Sequence, residues 1–267
     1  MAQHSKSRLL AWAQMKDYLP SVRFGGEIGE ARKMDFHGRH IVITGGAGAL
    51  GGAVVEALLD AGATCHVPCF DEAEAQRFRL REHRQVALTV TGSLADERAV
   101  NRLYQGIAPL WASIHLAGGF AAGPLRETSA ATLQQQIEMN LVTCLLCCRA
   151  AVSAMTSGGG SGGRIVNVAA RAALEWRSGA GTAAYTASKA AVAALTVALA
   201  QEVANDGILV NAVAPSIMDT PTNRRAMPKA DYGLWPKVEE VAATILFLAS
   251  PENRVTRGAV VPVYGRS

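Results

Sequence analysis

The chain has 267 residues, 49% of them hydrophobic and 18% charged, with a net charge of +4. That supplies a large core and fits one α/β domain of ordinary size. Basic residues are scattered except at Arg77–Arg84 and Arg224–Lys229 and form no basic stripe with interleaved aromatics, and no unbroken apolar run reaches the roughly 20 residues of a membrane span; neither nucleic acid nor a membrane is an expected partner.

Residues 1–36 stand apart. Leu9, Leu10, Trp12, Ala13 and Leu19 fall at broadly helical spacing before Pro20 and Gly25-Gly26 break it. This reads as an arm that packs on its own domain or on a neighbouring subunit. It has no apolar signal core, and Asp17, Glu27 and Glu30 count against a mitochondrial presequence. From residue 37 to 267 the pattern is regular. HIVITGG (40–46) predicts a buried strand running into a Gly-rich turn, and Leu50–Ala61 a helix stopped by Gly62. ATCHVP (63–68) is a second strand, residues 71–83 a charged helix, and QVALTV (85–90) a third strand. Asp96 caps a helix to Gly106, and ASIHLAGG (112–119) is a fourth strand. A long helix follows over 130–155, then the loop SGGGSGG (157–163). RIVNVAA (164–170), a helix over 182–205 and GILVNAVAP (207–215) come next. Residues 216–236 read as irregular, 238–250 as a helix and 258–265 as a last strand. Strands alternate with helices throughout, which predicts a doubly wound, mostly parallel seven-stranded sheet in a single domain. Apolar runs such as IVIT and VALTV fit a sheet covered on both faces.

The five cysteines are Cys65, Cys69, Cys144, Cys147 and Cys148. An odd number, with three crowded on one helix, is not a disulfide framework and suggests a reducing cytosol. Cys144-x-x-Cys147 has no second Cys or His pair nearby in sequence, so no metal is expected and the thiols read as small apolar core groups.

Two constellations carry chemistry. Thr44-Gly45-Gly46-Ala47-Gly48-Ala49-Leu50-Gly51 lies between the first strand and the first helix. Glycines there let backbone approach a pyrophosphate, and the helix N-terminus offers free N–H groups and the positive end of its dipole. Tyr185 and Lys189 are four apart on a helix and share a face. A nearby ammonium is expected to favour the phenolate and lower a tyrosine pKa that is otherwise near ~10.

On these residues the chain, over 38–265, resembles the short-chain dehydrogenase/reductase family, with a Rossmann fold. Thr44, Gly45, Ala49, Leu50 and Gly51 map onto its Thr-Gly-x-x-x-Gly-x-Gly turn, with Ala49 in place of the middle glycine. Ala117-Gly118 resembles the end of its Asn-Asn-Ala-Gly turn, Asn140 its helix asparagine, and Tyr185 and Lys189 its Tyr-x-x-x-Lys pair. Pro215 to Thr220, including Met218, is similar to the segment that holds the nicotinamide carboxamide. The resemblance implies an NAD(P)-dependent oxidoreductase that passes a hydride between nicotinamide and a carbonyl, quinonoid or imine-type small molecule. Tyr185 would donate the proton, Lys189 would tune it and bind the ribose, and Asn140 would hold a relay water. A homodimer or homotetramer in the cytoplasm is the implied assembly.

Cys69 stands at the end of the second strand, where an acid marks NAD and a base NADP; Ser93-Leu94 stands beside the adenine. With no Arg or Lys in residues 44–54, the balance favours NAD(H). Asp71 reads as a helix cap rather than a ribose ligand. The family's serine after the fifth strand corresponds to Ala170, fifteen residues before Tyr185, with Ala169 and Ala172 beside it. Dihydropteridine reductases of the family share that absence, and a quinonoid or imine acceptor needs no hydroxyl clamp. The alternative is a catalytically silent dinucleotide-binding partner or sensor. Arg224, Arg225 and Lys229 could meet an anionic substrate, with Trp235 or Trp176 stacking on a ring.

Overall fold

The computed structural model describes residues 34–107, 109–157 and 162–267. The arm up to residue 33 and the centre of the Gly/Ser loop lie outside the described residues. Seven strands form one sheet: β1 (His40–Thr44), β2 (Thr64–Cys69), β3 (Val86–Val90), β4 (Leu110–His115), β5 (Gly163–Val168), β6 (Ile208–Pro215) and β7 (Val260–Val263). Their spatial order is β3-β2-β1-β4-β5-β6-β7, and every pairing is parallel.

Period-two alternation divides the apolar side chains between two layers. Ile41 and Ile43 face the layer of α1 (Ala49–Asp60) and α8 (Val238–Ala249), with Val54, Leu58 and Ile245. Val42 and Ile165 face the other layer, formed by α3 (Glu97–Tyr104), α4 (Ala130–Thr156) and α6 (Ala183–Glu202). Helices α4 and α6 have the length and apolarity of a membrane span, which the search for unbroken apolar runs misses. Both pack on the sheet, α4 against β4 and α6 against β6, and small residues such as Cys147, Ala151 and Ala200 make that contact.

Several elements differ from expectation. The charged helix predicted over 71–83 is only α2 (Glu72–Arg77). Phe78 leaves it with φ −69° and ψ 117° to bury its ring, which decides the end. VALTV is the outer strand, its residues alternating between half-buried and exposed rather than covered on both faces. The segment after β6 is not wholly irregular: Thr220 caps α7 (Pro221–Ala226). A short α5 (Arg171–Leu174) follows β5. Pro262 is tolerated in β7 because that strand is also an edge.

The strand order reverses between β1 and β4. Chains leaving the carboxyl ends of these two strands diverge to opposite faces, which opens a crevice there. Replacing Ile165, fully buried in central β5, with alanine should cost about 2–5 kcal/mol in urea unfolding. Val90→Ala on the exposed edge should stay within about 0.5 kcal/mol.

Candidate functional site

The crevice begins with glycines that nothing larger could replace. Gly45 has φ +67°, and a Cβ there would lie 2.7 Å from Ala117 N. A Cβ on Gly51 would strike the Gly45 carbonyl. Thr44 fixes the same junction, its Oγ1 accepting from Ala117 N at 3.2 Å. Helix α1 therefore starts directly above the end of β1, with Gly48 at its N-cap and no side chain capping it. Its first-turn N–H groups and dipole are available to an anion. Ala49 is exposed at this turn, so its methyl displaces nothing in the fold, while Leu50 anchors the helix in the core.

A cleft of about 650 Å³ opens at this end of the sheet, with Gly45, Cys69, Ser93, Leu94, Ala117 and Gly118 in its wall. These come from four separate strand ends and had been selected from sequence. Ala49, Leu50, Gly51, Pro215, Met218 and Thr220 do not line it. Gly51 acts through Gly45, and Pro215 ends β6. Thr220 Oγ1 accepts from Asn223 N at 3.1 Å, and Met218 gives its carbonyl to Asn223 Nδ2 at 2.8 Å.

Sequence reasoning missed Glu74 and Phe70 in the same wall. Asp71 caps α2 by accepting from Glu74 N at 2.7 Å, as read from the sequence. Glu74 reaches back, its carboxylate accepting from Phe70 N at 2.6 Å. This places an acid beside the end of β2, five residues beyond Cys69. The signal was the Asp-x-x-Glu spacing of a capping box. Cys69 is neither acid nor base here; burial pushes its thiol up to about 11.

Tyr185 and Lys189 project from α6. The phenol ring meets Phe120 edge to face, with centroids 4.9 Å apart. Lys189 is buried and donates to the Val168 carbonyl at 2.8 Å, at the end of β5. A Cβ on Gly118 would lie 3.4 Å from Lys189 Nζ and 2.5 Å from Asn140 Oδ1, so the cleft wall, the lysine and the asparagine meet at one glycine. Asn140 sits in a π-helical turn of α4 (Ile137–Val142), an irregularity common at functional sites. Its amide is committed locally. Oδ1 accepts from Gly119 N at 3.0 Å, while Nδ2 donates to Gly119 O at 3.0 Å and Ser188 Oγ at 3.1 Å.

One expectation is overturned. Tyr185 is not lowered by its lysine; burial pushes it up to about 12. The ammonium is turned to the Val168 carbonyl, and burial pushes Lys189 down to about 8, with Cys144 opposing the fall. Ala170 is buried with extended backbone and offers only a methyl. The nearby hydroxyls are spent elsewhere: Ser178 donates to Glu175 O at 2.7 Å and Thr182 to Gly179 O at 3.0 Å. Arg224 is bound by Asp219 through two contacts of 2.6 and 2.7 Å, and Trp235 packs on Tyr232, so neither matches the substrate role considered from sequence. Trp176 is exposed and donates to Ala173 O at 3.0 Å.

A family model for short chain dehydrogenases matches residues 39–231. The chain belongs to the short-chain dehydrogenase family. It is 30% identical to 2,3-dihydroxy-2,3-dihydro-p-cumate dehydrogenase of Pseudomonas putida, over 88% of this chain and 96% of that one. Identity with cis-4-hydroxycyclohexanecarboxylate dehydrogenase of Sinomonas cyclohexanicum is 34%, over 86% and 96% of the two chains. The NADP-bound structure of ElxO superposes with a TM-score of 0.76 at 24% identity, covering 85% of this chain and 97% of that one. This short-chain dehydrogenase is an NAD(P)-dependent oxidoreductase. The glycine cradle and the uncapped start of α1 fit a dinucleotide's pyrophosphate, and the adjoining cleft of about 650 Å³ runs past Cys69, Ser93 and Leu94, where the adenosine half would lie.

The two shifted groups make stability depend on pH in opposite ways. Lys189 is held below its unfolded value, so the unfolded chain binds the extra proton between about pH 8 and 10.5, and stability rises with pH across that window. Tyr185 is held above its own, so stability falls between about pH 10 and 12. Lys189→Met should stabilise the protein without nucleotide in urea unfolding at pH 7, and the gain should shrink as pH passes from 8 to 10.5.

Proposed function

We propose that this enzyme catalyses NAD(H)-linked oxidation and reduction at a ring carbon of a small cyclic substrate, with Tyr185 as the proton donor and acceptor. The observation that carries this is the approach of Lys189 and Asn140 to Gly118 in the wall of the Gly45 cleft, with Tyr185 one helical turn from Lys189 on α6. A bound nicotinamide would exchange a hydride with the substrate carbon. Lys189 is within reach of the Gly118 backbone and would hydrogen-bond the ribose. A dinucleotide that draws the ammonium off Val168 O would let it favour the phenolate, which Tyr185 alone resists at about 12. Asn140 would keep the Gly118–Gly119 turn and α6 in register through its bonds to Gly119 and Ser188. Gly45, Ala49, Leu50 and Gly51 would receive the pyrophosphate. Cys69, Ser93, Leu94 and Ala117 would surround the adenosine, and Pro215, Met218 and Thr220 would border the carboxamide.

NAD(H) is favoured over NADP(H) because Glu74 lines the cleft by the end of β2, and no Lys or Arg does so among the described residues. A carboxylate there accepts from ribose hydroxyls and repels a 2′-phosphate. For the substrate, Phe120, Leu174 and Ile217 are exposed apolar side chains near Tyr185 and the ends of β5 and β6. Both relatives are named for a hydroxyl on a six-membered carbon ring that also bears a carboxylate. Ala170, in the place of the family's serine, supplies no donor to a developing oxyanion. That favours a quinonoid, enone or imine-type ring, whose charge spreads over conjugated atoms. The five free, buried thiols fit a cytoplasmic protein, and the apolar α4 and α6, exposing Leu145 and Val197, fit a homodimer or homotetramer. The arm expected over residues 1–36 is shortened to 1–33, because Phe36 is fully buried in the core of the main domain and Met34 packs against that core.

Tyr185→Phe should lower turnover of the best ring substrate by about 10²–10⁴ while leaving NADH affinity nearly unchanged. Unchanged turnover would remove Tyr185 from the chemistry. Ala170→Ser should raise activity on simple cyclic ketones, with the quinonoid or imine substrate gaining little. A missing oxyanion donor typically accounts for about 10²–10³ in rate.

A further inference from the structure

Three cysteines on α4 were read as core filling because no sequence neighbour could join them at a metal. The fold supplies one from 29 residues upstream. His115 ends β4 and is 4% exposed; Cys144 and Cys148 are 4% and 2% exposed. The two cysteines lie one helical turn apart and share a face. The imidazole nitrogen and both sulfurs fall within 4.8 Å of one another. A fourth donor comes from β5. Asn167 Oδ1 lies 2.8 Å from His115 Nδ1 and 3.5 Å from Cys148 Sγ, and that sulfur is 3.5 Å from Nδ1.

These lengths are close to the edges of a tetrahedron. With metal–sulfur bonds of about 2.3 Å and metal–nitrogen or –oxygen bonds of about 2.0–2.1 Å, a zinc site has edges of about 3.5 Å between sulfur and nitrogen or oxygen. Both Cys148 edges have that length. The edge between nitrogen and oxygen would be about 3.3 Å, so His115 and Asn167 part by about half an ångström.

The surrounding hydrogen bonds orient the two donors other than sulfur inward. Asn167 Nδ2 donates to Thr196 Oγ1 at 2.9 Å, and Thr196 donates to Val192 O at 2.8 Å, which fixes the amide with Oδ1 facing the cluster. His115 Nε2 meets Ser113 Oγ at 2.8 Å, and Ser113 meets Tyr104 OH at 2.7 Å. A ligating histidine characteristically gives its other N–H to such a partner. Asn167 Oδ1 can only accept, so without a metal His115 Nδ1–H and the Cys148 S–H both point at the same oxygen. One cation replaces both of those protons.

We propose that His115, Cys144, Cys148 and Asn167 Oδ1 form a buried tetrahedral site for a d¹⁰ cation, zinc(II) foremost. Binding releases two thiol protons to solvent. The imidazole stays neutral, its proton passing from Nδ1 to Nε2 and then donated to Ser113. Two thiolates balance the two positive charges, so the site adds no net charge to the core. Soft sulfur donors with one imidazole select zinc over magnesium or calcium. Such a metal would staple β4, β5 and α4 together behind the cleft, and through Thr196 it would support α6. Its role is structural, three residues from Gly118.

The test uses the full-length protein, reduced and stripped by a chelator. Cobalt(II) is titrated into the folded protein, and a second sample is unfolded and refolded with zinc(II), the metal being counted by native mass spectrometry. One metal per chain is expected, with thiolate-to-cobalt charge-transfer bands and the strong d–d bands of a tetrahedral site. Both signals should be lost in Cys144→Ser and Cys148→Ser and kept in the Cys65→Ser, Cys69→Ser double variant. If the α4 variants do not fold, X-ray absorption on the zinc-loaded native chain decides. Two sulfurs at about 2.3 Å with nitrogen and oxygen at about 2.0–2.1 Å support the site. No metal by either route, an all-nitrogen-and-oxygen shell, or bands that depend on Cys65 and Cys69 would overturn it.

Discussion

Two stretches of backbone touch with no side chain between them, and the remaining geometry follows from that contact. The turn after β1 passes Gly45 against Leu116 and Ala117 after β4. Thr44 ties the two together from below. Only glycine satisfies both the left-handed φ and a packing in which a Cβ would lie 2.7 Å from Ala117 N. Because β1 and β4 are neighbours whose continuing chains leave to opposite faces, this contact sits at the reversal of strand order. The start of α1, the wall at Ala117 and Gly118 and the long cleft are consequences of it. A bulkier residue at Gly45 or Gly51 would lift α1 from the sheet and close the space into which a dinucleotide fits.

The second constraint is electrostatic. A lysine is buried beside a tyrosine, and burial acts on the two in opposite senses. It drives Lys189 towards neutrality and holds Tyr185 protonated. In this state the pair is a weak acid–base system, and the ammonium is satisfied by a backbone carbonyl instead of the phenol. A ribose and its bound dinucleotide would change both the partner and the field. The pair would therefore link cofactor binding to proton transfer, with the acid–base group becoming competent only when the hydride carrier is in place.

Much of this was legible in the sequence because short-range rules govern it. Alternating strands and helices gave the parallel sheet, and the position of Gly45 after the first apolar strand placed the cradle. The failures have physical causes. Helix α2 ends early because Phe78 gains more from the core than from another turn. VALTV looks buried by composition, but strand order, which no local pattern encodes, puts it at the edge. Glu74 escaped notice because its role depends on a capping geometry that carries the carboxylate back past Asp71. His115 and Cys148 meet only after a crossover joins β4 to α4, so no spacing rule could pair them. The direction of the Tyr185 shift is set by burial of the phenol, which is a property of the packed site alone.

Nicotinamide fluorescence during titration of the purified protein with NADH, and separately with NADPH, tests the central claim most directly. The cleft predicts saturable binding of one dinucleotide per chain, with NADH held more tightly than NADPH and Glu74→Ala narrowing the difference. Binding of neither nucleotide would contradict the account.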